Sequence, residues 1–553
     1  MKFKRILTLC LAGASLTAFA QTHIEGEEYY KADQLENAKD LLKRSLSNAQ
    51  TDKAVSNYYL GMIALDENQK AEAAKYFEQG VAANAQYPYN YVGQGLLQLM
   101  AGDQKGAENL FKTADKNSKK DASLQIAIAR AYDRVDPTKY EKQIGKYIEK
   151  ARKFNLENPD IYIFEGDRER EKKEWGKAAN MYEMATGYDP NATAAYVKYA
   201  NLFTQVNPDY AIKMLGNLLK VNPNSALGQR ELANAYYNNK DFAKAASQYG
   251  KYVQNPSHFK SDENRYAFLL FYGQDYQKGY DYATKLLKED PDNFTAQRYQ
   301  FMNAAQIKDM DSQLLPLAEA LYAKNRADPK NNRFALIDYT LISYALQNAK
   351  RPDEAIKVLQ QGIKENPDFA DFNKTLAMVY IDKNELSNAA DSYAEYMKKT
   401  EPGYNDFIQQ ATFDFYAGIE NKNNPSKASH YFNDALANAD KAKAIIPDNY
   451  MPAKIYGDVA KQTATSAAAA ESAAVKDYEI SSDLLDAAIQ KRINEGQAVP
   501  GRYKSDAKDI NVYLGNYYYE KVRDDAKAKK YYQRALDQDP SNTQLQNFIN
   551  KIK

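Results

Sequence analysis

From Pro159 to Ala192, apolar and small residues return at helical intervals and polar ones fill the gaps. Counting Pro159 as position 1, Tyr162, Glu165, Gly166 and Glu169 fall at 4, 7, 8 and 11, one face of a first helix. Ala178, Tyr182 and Ala185 fall at 20, 24 and 27, one face of a second, and Pro190 stands at 32. Spacings of i, i+3, i+4 and i+7 belong to a helix and not to a strand. The small residues at 8, 20 and 27 predict two helices that cross closely, with the ring at 24 filling the space beside them.

The pattern recurs almost from end to end. Gly26, Ala38, Leu42 and Ser45 begin it; Gly61, Ala73, Phe77 and Gly80 follow, then Gly95, Ala107, Phe111 and Ala114. Ala233, Ala245 and Tyr249 carry it in the middle, and Ser343, Ala355, Leu359 and Gly362 further on. Leu514, Gly515, Tyr518, Ala528, Tyr532 and Ala535 form the last clear unit. Prolines give an independent ruler: Pro159, Pro190, Pro223, Pro256 and Pro291 stand 31, 33, 33 and 35 residues apart. Pro329, Pro367, Pro402, Pro447 and Pro540 continue the series, so ten of the 18 prolines mark unit ends. Proline stops one helix while a nearby Asn, Asp, Ser or Thr caps the next. A second set, Pro137, Pro208, Pro352 and Pro425, is expected at the first turn of second helices, where a missing N–H does no harm. The fourth and twelfth units run seven residues longer than the sixth, which predicts longer second helices.

Three stretches depart from the scheme. Residues Phe294–Pro329 keep helical spacing with few small residues, the alanine run Thr463–Ala474 reads as extended helix or as linker, and Gly496–Ser505 reads as a loop. The expected organisation is a leader at 1–20, tandem repeats over 21–449, a divergent helical segment at 450–507, and a last repeat with a polar closing helix at 508–553.

On these residues the chain resembles the tetratricopeptide repeat (TPR) family over roughly Glu25–Pro447 and Ile510–Pro540. The resemblance implies an all-α solenoid, a superhelix of about 13 or 14 helix-turn-helix repeats whose concave face is lined by first helices. It also implies a recognition role, without naming what is recognised.

Met1–Ala20 carries Lys2, Lys4 and Arg5, then an apolar run, then Ala18-Phe19-Ala20. That is the layout of a cleavable secretory leader, with the mature chain starting at Gln21 and a periplasmic or secreted destination. No later apolar run approaches the length of a membrane-spanning helix. The only cysteine, Cys10, stands too early in the leader for a lipoprotein, so the mature chain would have no thiol. Removing the leader's three basic residues leaves 71 against 73 acidic ones, which offers no global pull toward nucleic acid.

No catalytic motif, phosphate loop or dinucleotide fingerprint occurs, and His23, His258 and His430 lie in separate units without metal-ligand spacing. The expectation is a non-enzyme without cofactor or metal. Tyrosine is the richest resource, with 46 residues. Positions 11 and 24 take rings as core; their neighbours point elsewhere. The resemblance implies ligand-facing first-helix residues near positions 2, 5, 9 and 12. Carried over, they are Tyr30, Tyr58, Met62, Arg230, Asn234, Tyr237, Phe268, Phe271, Tyr344, Asn516 and Tyr519. Rings with polar tips suit an extended peptide or a sugar face. Arg230 and Asn234, with Asn264 and Arg265 in the next unit, match part of the carboxylate clamp by which some TPR domains hold a peptide C-terminus. The favoured function is a protein- or peptide-binding scaffold of a bacterial envelope; the alternative is a glycan or peptidoglycan binder.

Overall fold

The computed structural model describes residues 22–49 and 51–552, so the leader, Cys10 and Gln21 lie outside it. Among the described residues there are helices and turns but no strand, and no helix is long and apolar enough to cross a membrane. The chain divides at 307/308 into two compact units, inside the segment whose sequence is most divergent.

The first unit stacks eight helical hairpins, each a first (A) helix and a second (B) helix. They are Thr22–Lys31 with Leu35–Leu46, Lys53–Asp66 with Lys70–Ala83, Tyr89–Met100 with Gln104–Asn117, and Ala122–Val135 with Glu141–Phe154. Pro159–Glu171 with Trp175–Tyr188, Thr193–Phe203 with Pro208–Val221, Ala226–Asn238 with Phe242–Tyr252, and Lys260–Tyr272 with Tyr276–Glu289 complete them, and Phe294–Ala304 packs last. The second unit begins with Asp311–Ala327 and continues with Leu336–Asn348 and Pro352–Glu365, then Asp371–Asp382 and Leu386–Lys398. Tyr404–Glu420 with Pro425–Ile445, Tyr450–Thr463 with Val475–Asn494, Gly501–Tyr517 with Asp525–Gln538, and Thr543–Ile549 follow. The result is an all-α TPR-type solenoid, as the repeat spacing predicts.

The crossing rule is visible atom by atom. A Cβ on Gly61 would stand 2.3 Å from Cε1 of Phe77, and one on Gly166 would stand 2.6 Å from Cε1 of Tyr182. The ring at position 24 therefore lies flat on the small residue at position 8, and the two helices close on each other. Caps fall where the turns place polar residues: the side chains of Asp52, Asp121, Asn158 and Ser225 accept backbone N–H bonds at the starts of the following A helices.

Four expectations need correction. The twelfth unit's B helix is indeed long, 21 residues from Pro425 to Ile445, but the fourth unit's, Glu141–Phe154, has the ordinary 14. There the extra residues form a turn at 136–140, and Pro159 opens the next A helix instead of closing the turn before it. Pro137 accordingly lies in that turn, whereas Pro208, Pro352 and Pro425 do sit in first turns. The alanine run is helix and not linker, but broken: Ser466 caps Ala469 and starts a short helix, Ala467–Ala473, with only Ala474 between it and the 20-residue helix Val475–Asn494. The expected loop at Gly496–Ser505 is shorter, because Pro500 precedes a helix that begins at Gly501.

Candidate functional site

The N-terminal hairpin does two things at once. It stacks on the second hairpin in the ordinary way, and its A helix also packs against Thr193–Phe203 and Ala226–Asn238, so the first unit closes on itself. The contacts are specific. A Glu28 carboxylate oxygen accepts the Ala194 N–H at 2.9 Å, and the Glu25 carboxylate accepts those of Ala226 at 3.0 Å and Leu227 at 3.3 Å. Each acid thus sits on the open N–H groups at the start of a distant helix, where the helix dipole favours negative charge. Burial outweighs those bonds and pushes both carboxyls up to about 7. Tyr29, fully buried beside them, meets Phe259 edge-on at 5.4 Å.

A cavity of about 330 Å³, partly open to solvent, is walled by the A helices of the first five hairpins. Counting each A helix so that Gly61, Gly95, Ala129 or Gly166 is position 8, Tyr89, Ser123 and Asp160 line it from position 2. Tyr58, Ile126 and Ile163 line it from position 5, and Met62, Arg130 and Asp167 from position 9. The first hairpin adds Glu27, Tyr30 and Lys31. Tyr30 and Tyr59 rings lie 5.2 Å apart, Tyr58 and Tyr59 4.9 Å, and Tyr58 and Tyr89 5.4 Å.

Charge on the wall is balanced by a network of shared ion pairs. Lys31 bonds Glu27 at 2.9 Å and Asp160 at 3.4 Å, and Arg130 bonds Asp167 at 3.0 Å. Lys198, buried, lies 2.8 Å from Asp167 and 2.7 Å from Asp33. Arg134 bonds Asp66 at 2.7 Å. Burial would raise the Asp160 and Asp167 carboxyls, but Lys31 with Ser123 and Arg130 at the first, and Arg130 with Lys198 at the second, hold both below their usual range. Burial raises the Tyr30, Tyr58 and Tyr59 phenols, so all three remain protonated donors.

Of the residues expected from sequence, Tyr30, Tyr58 and Met62 line this cavity together. Arg230 and Asn234 do not form an open clamp. The Arg230 guanidinium bonds Asp262 at 2.7 Å and Gln34 at 3.3 Å, and Asn234 donates to Glu231 at 3.5 Å, so the cation already has its carboxylate. Tyr237, Phe268 and Phe271 are half-buried and form an aromatic strip: Tyr237 meets Phe268 at 5.8 Å, Phe268 meets Tyr272 at 4.5 Å, and Phe271 meets Tyr272 at 5.3 Å. Arg265 covers the Tyr237 ring at 4.6 Å. In the second unit Tyr344 is exposed, Asn516 accepts the Tyr532 hydroxyl at 2.6 Å, and Tyr519 packs on Phe548 at 5.1 Å. Asn516 and Tyr519 are thus held by neighbouring helices; a π-helical turn at Tyr518–Val522 accompanies a Gly515-to-Tyr532 spacing one residue longer than that from Gly61 to Phe77.

Sequence reasoning passed over Asp160, Arg130 and Asp167, although all three stand on the same positions 2 and 9. Charged residues on helix faces are so common that nothing marked these. His258 lies 2.7 Å from the Asn255 carbonyl and 3.2 Å from Glu263, and His430 is on the surface beside Asp434.

Hairpins of this spacing, with a small residue under a ring and an inward face at positions 2, 5 and 9, define an α-solenoid repeat scaffold. A tetratricopeptide repeat family model matches residues 201–258 and 339–403, one stretch in each unit. Both units therefore carry tetratricopeptide repeats in these stretches. No curated protein matches it. Among solved structures it is similar to the C-terminal part of a TPR repeat-containing protein from Cytophaga hutchinsonii, at 17% identity over 51% of this chain and 98% of that one, TM-score 0.38. It is also similar to a tetratricopeptide repeat protein from Parabacteroides merdae (14% identity, 54% of this chain and 98% of that one, TM-score 0.29). A third likeness is to yeast Tom70 (13% identity, 92% and 99%, TM-score 0.29).

Proposed function

We propose that this TPR protein is a non-catalytic scaffold of a bacterial cell envelope, holding a protein or peptide partner on its aromatic A-helix surface. The observation that carries the reading is the strip Tyr237–Phe268–Phe271–Tyr272, which spans two adjacent hairpins and ends in Tyr272, 41% exposed. Aromatic rings that are fixed by neighbours yet reach the surface bury large area at little entropic cost, the usual character of binding hot spots. The cell-envelope destination rests on the leader-like Met1–Ala20.

Two measurements test it. Amino-terminal sequencing of the purified protein is expected to start at Gln21. A photocrosslinking residue replacing Tyr272 in intact cells, followed by mass spectrometry, is expected to trap a defined partner, with Tyr237→Ala and Phe271→Ala each weakening its binding about tenfold or more. A partner that binds both variants as tightly as the wild type would place its contact elsewhere and sink the strip.

A further inference from the structure

The cavity inside the first unit has features of a site and not of a mere gap. Tyr58 and Tyr59 are each only 6% exposed, yet neither hydroxyl has a hydrogen-bond partner among the described residues. Both hydroxyls keep access to the open space of the cavity, so they can donate to and accept from a guest. Tyr30 lines the same cavity, its ring 5.2 Å from that of Tyr59. Around them the wall supplies apolar surface from Met62, Ile126 and Ile163.

We infer that this cavity binds a small neutral polyhydroxy compound, one or two sugar rings in size. Three properties set the class. The volume, about 330 Å³, lies at the lower end of small-molecule sites, roughly 300–1,000 Å³. Each carboxylate on the wall already contacts at least one cation, Lys31 serving both Glu27 and Asp160, so an ionic guest would have to displace an existing partner and leave a charge uncompensated. The free groups are phenolic hydroxyls, which donate and accept at one atom and so match the hydroxyls of a sugar; the aliphatic floor suits its C–H faces. This site is separate from the aromatic strip, and either can fail without the other.

The test uses the full mature chain and calorimetric titration, with ligand-observed NMR, against a panel of neutral mono- and disaccharides. Glucose, glucosamine and glucuronate within it compare neutral, cationic and anionic forms of one ring. Saturable binding of at least one neutral sugar is expected, with the charged forms weaker. Tyr58→Phe combined with Tyr59→Phe keeps both rings and removes only the unpartnered hydroxyls, so folding is expected to be unchanged and affinity to fall about tenfold. Ala127→Phe, which fills the cavity from the Ala122–Val135 helix, is expected to abolish binding, while Phe271→Ala leaves it intact. No saturable binding by any neutral sugar, equal binding of the charged forms, or undiminished affinity in the double variant each overturns the assignment.

Discussion

Gly61 and Gly145 both lie inside helices, yet the structure gives them opposite prospects. A Cβ at Gly61 would collide with the Phe77 ring, which is fully buried and has nowhere to move. Gly61→Ala is expected to destabilise the first unit by about 1–3 kcal/mol, the usual cost of overpacking. At Gly145 a Cβ would meet nothing within 4 Å, so Gly145→Ala is expected to stabilise by roughly 0.5–1 kcal/mol through helix propensity alone. Chemical denaturation of the two variants measures both. The spacing of residues along the chain is enough to tell these two glycines apart. Gly61 stands at position 8 and its ring sixteen residues on at Phe77, and the same interval joins Gly95 to Phe111 and Gly166 to Tyr182. The interval stretches where local chemistry intervenes. Gly457 finds its ring at Tyr478, five residues later than usual, because Ser466 starts the extra helix Ala467–Ala473 between them. Composition shows the alanines; which serine would cap them is a geometric outcome.

The helix Thr22–Lys31 is the element whose role the sequence conceals most. Read locally, Glu25, Glu27 and Glu28 are an ordinary acidic stretch in a terminal helix. Folded, Glu25 and Glu28 terminate helices about 200 and 166 residues away. A repeat pattern specifies the neighbour of each hairpin and is silent about what it meets one turn later. The carboxyls give the docking a pH dependence. Glu25 faces the Ala226 and Leu227 amides, and Glu28 faces the Ala194 amide with Lys31 and Glu27 beside it. Both rise from 4.5 unfolded to about 7 folded, so between those values the folded chain binds more protons than the unfolded one. Stability from these groups therefore falls as pH rises from 4.5 to 7, and changes little above that. Hydrogen exchange of amides 23–46 is expected to be slower at pH 5 than at pH 8 after correction for intrinsic rates. Glu25→Gln with Glu28→Gln, which keeps an acceptor oxygen and removes the charge, is expected to flatten the difference.

At the scale of the molecule, a simple solenoid would answer perturbation only next door. The first unit is expected to behave otherwise. Deleting residues 22–46 should accelerate exchange at the starts of Thr193–Phe203 and Ala226–Asn238 while leaving the Lys308–Lys553 unit unchanged. Mass-spectrometric exchange on the two chains decides it: equal protection at residues 194 and 226–227 would mean that the hairpin contributes nothing there. The division at 307/308 falls inside the stretch Phe294–Pro329, which its few consensus small residues set apart in the sequence. The inward face at positions 2, 5 and 9 was also readable, but its enclosure was not, because closure depends on small rotations accumulated over hairpins and not on any single residue.

The amides that Glu25 engages belong to residues 226 and 227, so a chain emerging amino-terminus first, from a ribosome or from an export channel, must carry its first hairpin unseated until that segment has followed. Most of the first unit can assemble hairpin by hairpin as it emerges, through contacts that are short in sequence. Its final locking step instead joins the earliest residues to some of the latest, and for that interval the acidic helix and the amides it will cap are both open to solvent and to other chains.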